Sequence, residues 1–316
     1  MSETWTVKRI LDWISGYLSE RGDENPLLSA QWLVAEALGV SRIQLYADLD
    51  RPLSMAERDT LRDYTRRRGA GEPLQYITGT TDFRFITVRV KSGALIPRPE
   101  TEVLVSEALS ACKPRIASLR TASLASEGEA EGDDASTPAE PQPFRVVDLC
   151  TGSGCIACSI AKEVPQSQVV ATDISDDAIG LARLNAAELG LSERVDVVQG
   201  DLAEGVPAAW NGLVDLVISN PPYIPTAVLD EMSHEVMDYE PSLALDGGED
   251  GLDLYRRIVP AALELLAPGG VLAVELHETR LDEARAIAVE AGFASCRIAV
   301  DLAGRPRVLV ASAPLE

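Results

Sequence analysis

From Phe144 to the end of the chain, short apolar runs alternate with amphipathic stretches, and this alternation limits the possible folds more than any other feature. Strands are expected at Arg145–Leu149, Val169–Thr172, Val195–Gln199, Leu213–Ser219 and Val271–Leu276. Helices are expected after Gly154 and at Asp176–Leu189, Leu252–Leu266 and Thr279–Ala291. Strands joined through helices pair in parallel, and the helices must cover both faces of the sheet. The last two apolar runs, Ala294–Val300 and Arg307–Ala311, lie too close together to enclose a helix. They predict a terminal antiparallel hairpin on an otherwise parallel, Rossmann-like α/β sheet.

The preceding segments have a different texture. Residues 1–73 read as a small helical bundle, with Trp5, Ile10, Leu11, Ile14 and Leu18 at helical spacing. Asn25-Pro26 opens a second helix, which Gly39 ends. Ser54-Met55-Ala56-Glu57 is a capping box for another, which stops near Gly69. Residues 74–95 read as a β-hairpin linker, its apolar arms broken by Gly79-Thr80-Thr81-Asp82. Residues 96–316 then form the α/β domain, entered through Ile96-Pro97-Arg98-Pro99-Glu100-Thr101, where two prolines impose an extended loop. Within it, residues 113–143 are rich in Ala, Ser, Glu, Asp and Pro and hold no aromatic residue, which predicts a disordered acidic surface insert.

Composition excludes several classes of function. The formal charge is -22, and residues 1–90 are nearly balanced, so the acidity falls on the α/β half. A protein that grips nucleic acid needs a basic face, and the only local candidate, Arg66-Arg67-Arg68, reads as the last turn of a helix. No apolar run approaches the roughly 20 residues of a membrane span, and Met1–Trp5 lacks the pattern of a signal peptide. Five cysteines without disulfide spacing suit a reducing compartment. A cytoplasmic monomer without stable nucleic-acid or membrane binding is the expectation.

Asp148-Leu149-Cys150-Thr151-Gly152-Ser153-Gly154 lies at a strand end and leads into a helix. A glycine-rich turn there lets the backbone approach a ligand and points helix N-terminal amides at it. Asp173 closes the next strand, where a carboxylate can hold both hydroxyls of a ribose. Asp201, followed by Leu202, closes the third, where a side chain can reach an adenine amino group. Gly152-Ser153-Gly154-Cys155-Ile156-Ala157 also fits the dinucleotide pattern G-x-G-x-x-A, so an NAD enzyme stays open on these residues alone. The C-terminal hairpin, and the residues after the fourth strand, favour S-adenosyl-L-methionine.

That strand runs into Asn220-Pro221-Pro222-Tyr223. Each residue before a proline is forced towards extended geometry, which makes a stiff platform where ligands bind in open α/β sheets. An amide nitrogen is a poor nucleophile because its lone pair is delocalised. The Asn220 side-chain oxygen and the Pro221 carbonyl can each accept one of its N–H groups, orienting it and stabilising charge that grows on it. Tyr223 can stack on the flat group. The proton of the methylated nitrogen is acidic and passes to water.

At these residues the chain resembles the release-factor glutamine N5-methyltransferase family. The specific parts are Gly71-Glu72-Pro73-Leu74-Gln75-Tyr76-Ile77-Thr78-Gly79, Ile96–Glu102, the Asp148–Gly154 turn, Asn220–Tyr223 and Asp301-Leu302-Ala303-Gly304-Arg305-Pro306-Arg307. The resemblance implies a class I methyltransferase fold and a substrate glutamine in the Gly-Gly-Gln loop of class I peptide chain release factors. It also implies that the Cys150–Gly154 turn, Asp173, Asp201, Leu202 and Asn220 hold the cofactor, and that Asn220–Tyr223 hold the glutamine. The family usually has Gly where this chain has Cys150.

Other residues invite different chemistry. Cys150, Cys155 and Cys158 have a spacing known from iron–sulfur ligands, but they overlie the turn and no fourth cysteine is near, so packing is expected and no metal. His234 and His277 lack ligand spacing. An exocyclic-amine methyltransferase of DNA or RNA shares the Asn-Pro-Pro-Tyr element and is the alternative, although it wants a basic target-recognition region. A non-catalytic scaffold leaves every one of these positions without a purpose.

Overall fold

The computed structural model describes residues 4–128, 142–229 and 231–316. Its backbone contacts divide into two compact units, the first made of residues 1–80, 90–92 and 232–240. Helices α1 (Val7–Ser19), α2 (Pro26–Leu38), α3 (Arg42–Leu45) and α4 (Met55–Arg68) enclose a core built on Ile14, Leu18, Leu33 and Leu61. The caps read from the sequence are present. Pro26 starts α2, Gly39 ends it in the left-handed region at φ 63°, and Ser54 and Glu57 cap α4 reciprocally. The arginine run at the end of α4 is neutralised: Arg66 pairs with Asp63, Arg67 with Glu72, and Arg68 with Asp23 at 2.7 Å.

A short helix α5 (Leu74–Thr78) follows, so Tyr76 and Ile77 are helical where a strand was expected. Pro73 starts this turn, Gly79 closes it at φ 78°, and burial of Tyr76 and Ile77 outweighs their β preference. The hairpin is real but shorter, with β1 (Thr80–Phe83) and β2 (Ile86–Arg89) turning at Arg84-Phe85.

The second unit holds residues 81–89, 93–231 and 241–316. Helix α6 (Pro99–Ala111) is followed by α7 (Lys113–Gly128), which corrects the disordered reading of 113–143 over its first half. Ile116 and Leu119, three residues apart on α7, are buried, and Arg115 pairs with Asp215 at 2.8 Å. Residues 129–141 of the expected insert lie outside the described residues.

The remaining elements are β3 (Phe144–Leu149), α8 (Cys155–Glu163), β4 (Ser167–Asp173), α9 (Asp176–Glu188), β5 (Val195–Gln199), β6 (Val214–Ser219), α10 (Thr226–Leu229), α11 (His234–Tyr239, part of the first unit), α12 (Asp253–Leu265), β7 (Leu266–Glu275), α13 (Leu281–Ala291), β8 (Ser295–Val300) and β9 (Pro306–Ser312). The sheet order is β5-β4-β3-β6-β7-β9-β8. The first five strands are parallel, and β9 pairs antiparallel with both β7 and β8. This is the Rossmann-like class I methyltransferase sheet with the terminal hairpin the sequence predicts. Helices α12 and α13 press Tyr255, Ile258 and Ala284 onto Val147, Val217 and Leu272, while α6, α8 and α9 cover the other face. The strand order reverses at β3, which brings Leu149, Asp173 and Ser219 to one edge of the sheet. That edge is where a parallel sheet receives ligands.

Candidate active site

The turn after β3 is folded by left-handed residues: Cys150 at φ 59°, Gly152 at 55° and Gly154 at 77°. Cys150 has a Cβ in a region that favours glycine, so the turn carries a local strain of about 1–2 kcal/mol. The fully buried Asp148 binds the turn to α8, its Oδ2 accepting from the Thr151 hydroxyl at 2.6 Å and from the Ala157 amide at 3.2 Å. Burial pushes the Asp148 carboxyl up to about 7, against those two donors. Asp173 Oδ2 accepts the Gly152 amide at 2.9 Å, and its Oδ1 accepts the Ser175 amide at 2.9 Å.

A cleft opens over this turn. Cys150, Thr151, Gly152, Ser153, Asp173, Asp201, Leu202, Asn220 and Pro222 all line it. Gly154 does not: a Cβ there meets the Ala182 Cβ at 3.0 Å, so this glycine serves the packing of α8 on α9 rather than the cleft. Asp201 faces a partner that the sequence did not suggest, the Arg257 guanidinium at 2.8 Å. The walls also include Ile156, Ile174 and Leu243. A carboxylate with acceptor capacity left, set beside a glycine turn and apolar walls, suits a nucleoside with a charged tail.

At the end of β6, the buried Ser219 hydroxyl donates to the Leu149 carbonyl at 2.7 Å, locking Asn220 beside the turn. Asn220 Nδ2 donates to Thr101 Oγ1 at 3.1 Å, while its Oδ1 is buried without a hydrogen-bond partner. Pro221 is buried, and neither it nor Tyr223 lines the cleft. The Tyr223 hydroxyl donates to Glu275 Oε1 at 3.0 Å, while Glu275 Oε2 is buried without a hydrogen-bond partner. Glu275 is 1% exposed, and burial raises its pKa. Burial, and then Glu275, raise the Tyr223 phenol. Residues 245–251 grip the platform from outside, with the Ile224 amide on the Leu245 carbonyl at 3.0 Å and the Gly247 amide on the Ile224 carbonyl at 2.8 Å.

Burial pushes the Cys150, Cys155 and Cys158 thiols up to about 12, and the described residues hold no group of ligands suited to a metal. His277 bonds Thr279, and burial lowers its pKa. Sequence reasoning did not single out Thr101, Glu275 or Arg257. The available signal was an acid at the end of an otherwise apolar strand, Val271-Leu272-Ala273-Val274-Glu275.

Known proteins share this layout. Residues 9–79 match the family described as PrmC N-terminal domain, and residues 138–248 match the methyltransferase small domain. A release factor glutamine methyltransferase of Geobacter sulfurreducens is 42% identical over 97% of this chain and 96% of its own length. The chain belongs to the release factor glutamine methyltransferase family. A Rhodopirellula baltica relative of the same name is 36% identical over 96% of this chain and 95% of its own, and one from Caulobacter vibrioides 36% over 95% and 94%. The chain is therefore an S-adenosylmethionine-dependent methyltransferase, and the cleft fits that cofactor. No helix among the described residues is long and apolar enough to cross a membrane.

Proposed function

We propose that the chain methylates the side-chain amide nitrogen, N5, of the glutamine in the Gly-Gly-Gln loop of class I peptide release factors, acting as a cytoplasmic monomer. The observation that carries this reading is the Asn220 Oδ1, a buried acceptor left without a partner at the edge of the cofactor cleft. Such an atom costs about 1–3 kcal/mol unless something donates to it, and an amide N–H of the substrate supplies that donor. The Pro221 carbonyl takes the second N–H, and Tyr223 steadies the plane of the amide. Bound S-adenosylmethionine supplies a methyl group on a sulfonium, which an oriented nitrogen can attack. Asp173 holds the ribose hydroxyls, and the Cys150–Ser153 turn, Asp201, Leu202 and Asn220 complete the cofactor site. Asp201 Oδ1 is available to an adenine amino group while Oδ2 stays with Arg257.

The test is methylation of a purified release factor, of the same factor with its loop glutamine replaced, and of duplex DNA and ribosomal RNA. Label is expected in the first alone. Label in nucleic acid, or equal label in the glutamine-replaced factor, defeats the protein-glutamine reading. Tyr223→Ala should lower kcat by about a hundredfold while cofactor binding stays near parental, because misplacing a reacting group by about 1 Å costs that much. Asn220→Ala should depress both, turnover more.

A further inference from the structure

We propose that Arg257 is a specificity-determining positioning residue of the cofactor site: its guanidinium draws the Asp201 carboxylate away from its own backbone turn, so that the cleft selects a purine carrying a 6-amino group. The inference rests on the reading that Asp201 meets the adenine.

Asp201 has a nearer use for its carboxylate. It stands at the N-cap of the 3-10 turn Leu202–Gly205, with backbone at φ -81° and ψ 107°. An aspartate in that position ordinarily folds back and accepts the free amides of the first turn. Asp201 makes no such bond. Its Oδ2 instead accepts from the Arg257 guanidinium at 2.8 Å, across 56 positions of sequence. The turn is held by its backbone, with the Glu204 amide on the Asp201 carbonyl at 3.2 Å. The next residue, Leu202, is buried and stands in the left-handed region at φ 52°. A residue with a Cβ is kept there at a cost, and such outliers gather where a backbone serves a ligand.

Helix α12 brings Arg257 to this point. Tyr255 and Ile258 face the core, while Leu254 and Arg257, three residues apart, both line the cleft. The neighbouring Arg256 pairs instead with Asp250 and Glu283. The Arg257 and Asp201 side chains are 54% and 35% exposed, and an ion pair this open to water adds little to folding. Its use is orientation.

The selection follows from donors and acceptors. A carboxylate has acceptors and no donor. With Oδ2 taken by Arg257, Oδ1 is the acceptor left for the cleft that Asp201 lines. The 6-amino group of adenine donates to it. A hydrogen at that position offers nothing, and a carbonyl sets lone pairs against lone pairs.

The probes are S-adenosylhomocysteine and its analogue with hydrogen in place of the 6-amino group, and the measurement is calorimetry without any methyl acceptor. The parent should bind the adenosyl form roughly ten- to a hundredfold tighter, the range of a hydrogen bond to a charged group. In Arg257→Leu that ratio should fall to within about threefold of unity, because the adenosyl form loses affinity while the analogue keeps it. The melting temperature without ligand should stay near the parental value. Arg257→Lys should recover most of the ratio, since the pair is a single contact that an ammonium can also make. In an Asp201→Ala background, Arg257→Leu should change nothing further.

A parental ratio in Arg257→Leu overturns the inference. So does an equal loss of affinity for both ligands, which is what a purely structural role or a contact with the rest of the cofactor would give. A ratio near unity in the parent overturns the placing of Asp201 at the adenine, and the inference with it. None of these outcomes involves a release factor, so the substrate reading stands or falls separately.

Discussion

Asp173 holds the Gly152 amide at 2.9 Å through Oδ2 while its Oδ1 takes the Ser175 amide, so one carboxylate ties the turn after β3 to the turn after β4. A carboxylate offers about four acceptor sites, and two are used by backbone. The two that remain match the vicinal hydroxyls of a ribose. Asp173→Ala should therefore weaken S-adenosylmethionine binding by about 2–4 kcal/mol, because it removes charge-assisted bonds and also releases the Gly152 amide. Titration calorimetry measures this directly. Affinity within a factor of two of the parent would show that the ribose is held elsewhere.

Gly251 is the second point of leverage, at a distance from the cleft. It stands at φ 81°, and a Cβ there collides with the Tyr223 carbonyl oxygen, while a Cβ on Gly247 comes within 2.7 Å of the Tyr223 Cα. The loop can lie against the platform only because both are glycines. Gly251→Ala should push Tyr223 outward and lower kcat by at least about tenfold, with little change in cofactor affinity. The parallel measurements are turnover and calorimetry, and normal turnover means the platform does not depend on this contact.

How much of this was legible in the chain differs between the sheet and the site. Strand β6 falls on Val214–Ser219, one residue short of the expected Leu213–Ser219, because a central strand buried on both faces leaves a nearly unbroken apolar signal. Asn220 and the glycine turn were legible for a similar reason, since their meaning is carried by adjacent residues. The Asn220–Thr101 bond spans 119 positions and the Tyr223–Glu275 bond spans 52, and no local pattern encodes such contacts. Helix α5 was hidden because Tyr76 and Ile77 have strand propensity that burial overrides. Composition misled at α7. Averaged to residue 143 the stretch is acidic and small, but residues 113–128 include Ile116 and Leu119 at helical spacing, enough to dock one turn.

That docking changes what deletion of the insert should do. If composition alone ruled, removing residues 116–140 would leave stability nearly intact. With Ile116 and Leu119 buried, the same deletion should lower the urea midpoint clearly, and Leu119→Ala alone should cost about 2 kcal/mol, the lower end for a buried leucine. Arg115→Ala should cost under about 1 kcal/mol, since its bond to Asp215 is partly exposed. A Leu119→Ala midpoint equal to the parent's would mean that α7 contributes nothing to the core.

The buried Asp148 sets a pH dependence whose sign can be worked out. Burial holds its carboxyl at about 7, against an ordinary value of 3.8 in the unfolded chain. Between about pH 4 and 7 the unfolded chain gives up this proton while the folded protein keeps it. The folded state is then favoured by protons, so its stability is greatest below pH 4 with respect to this group and declines as pH rises through 7. The decline amounts to at most about 4 kcal/mol, which is three pH units at the usual conversion. Asp148→Asn preserves an acceptor for the Thr151 hydroxyl and the Ala157 amide but cannot ionise. Other groups titrate alike in both proteins and cancel in the difference. Without cofactor, the two should have their closest stabilities near pH 4, and the variant should gain on the parent up to about pH 7 and level off above it. Urea denaturation at half-unit intervals reads the gap. A gap that stays constant from pH 4 to 8 would show that Asp148 is already ionised in the folded protein, with its charge held by the amides at the start of α8 instead.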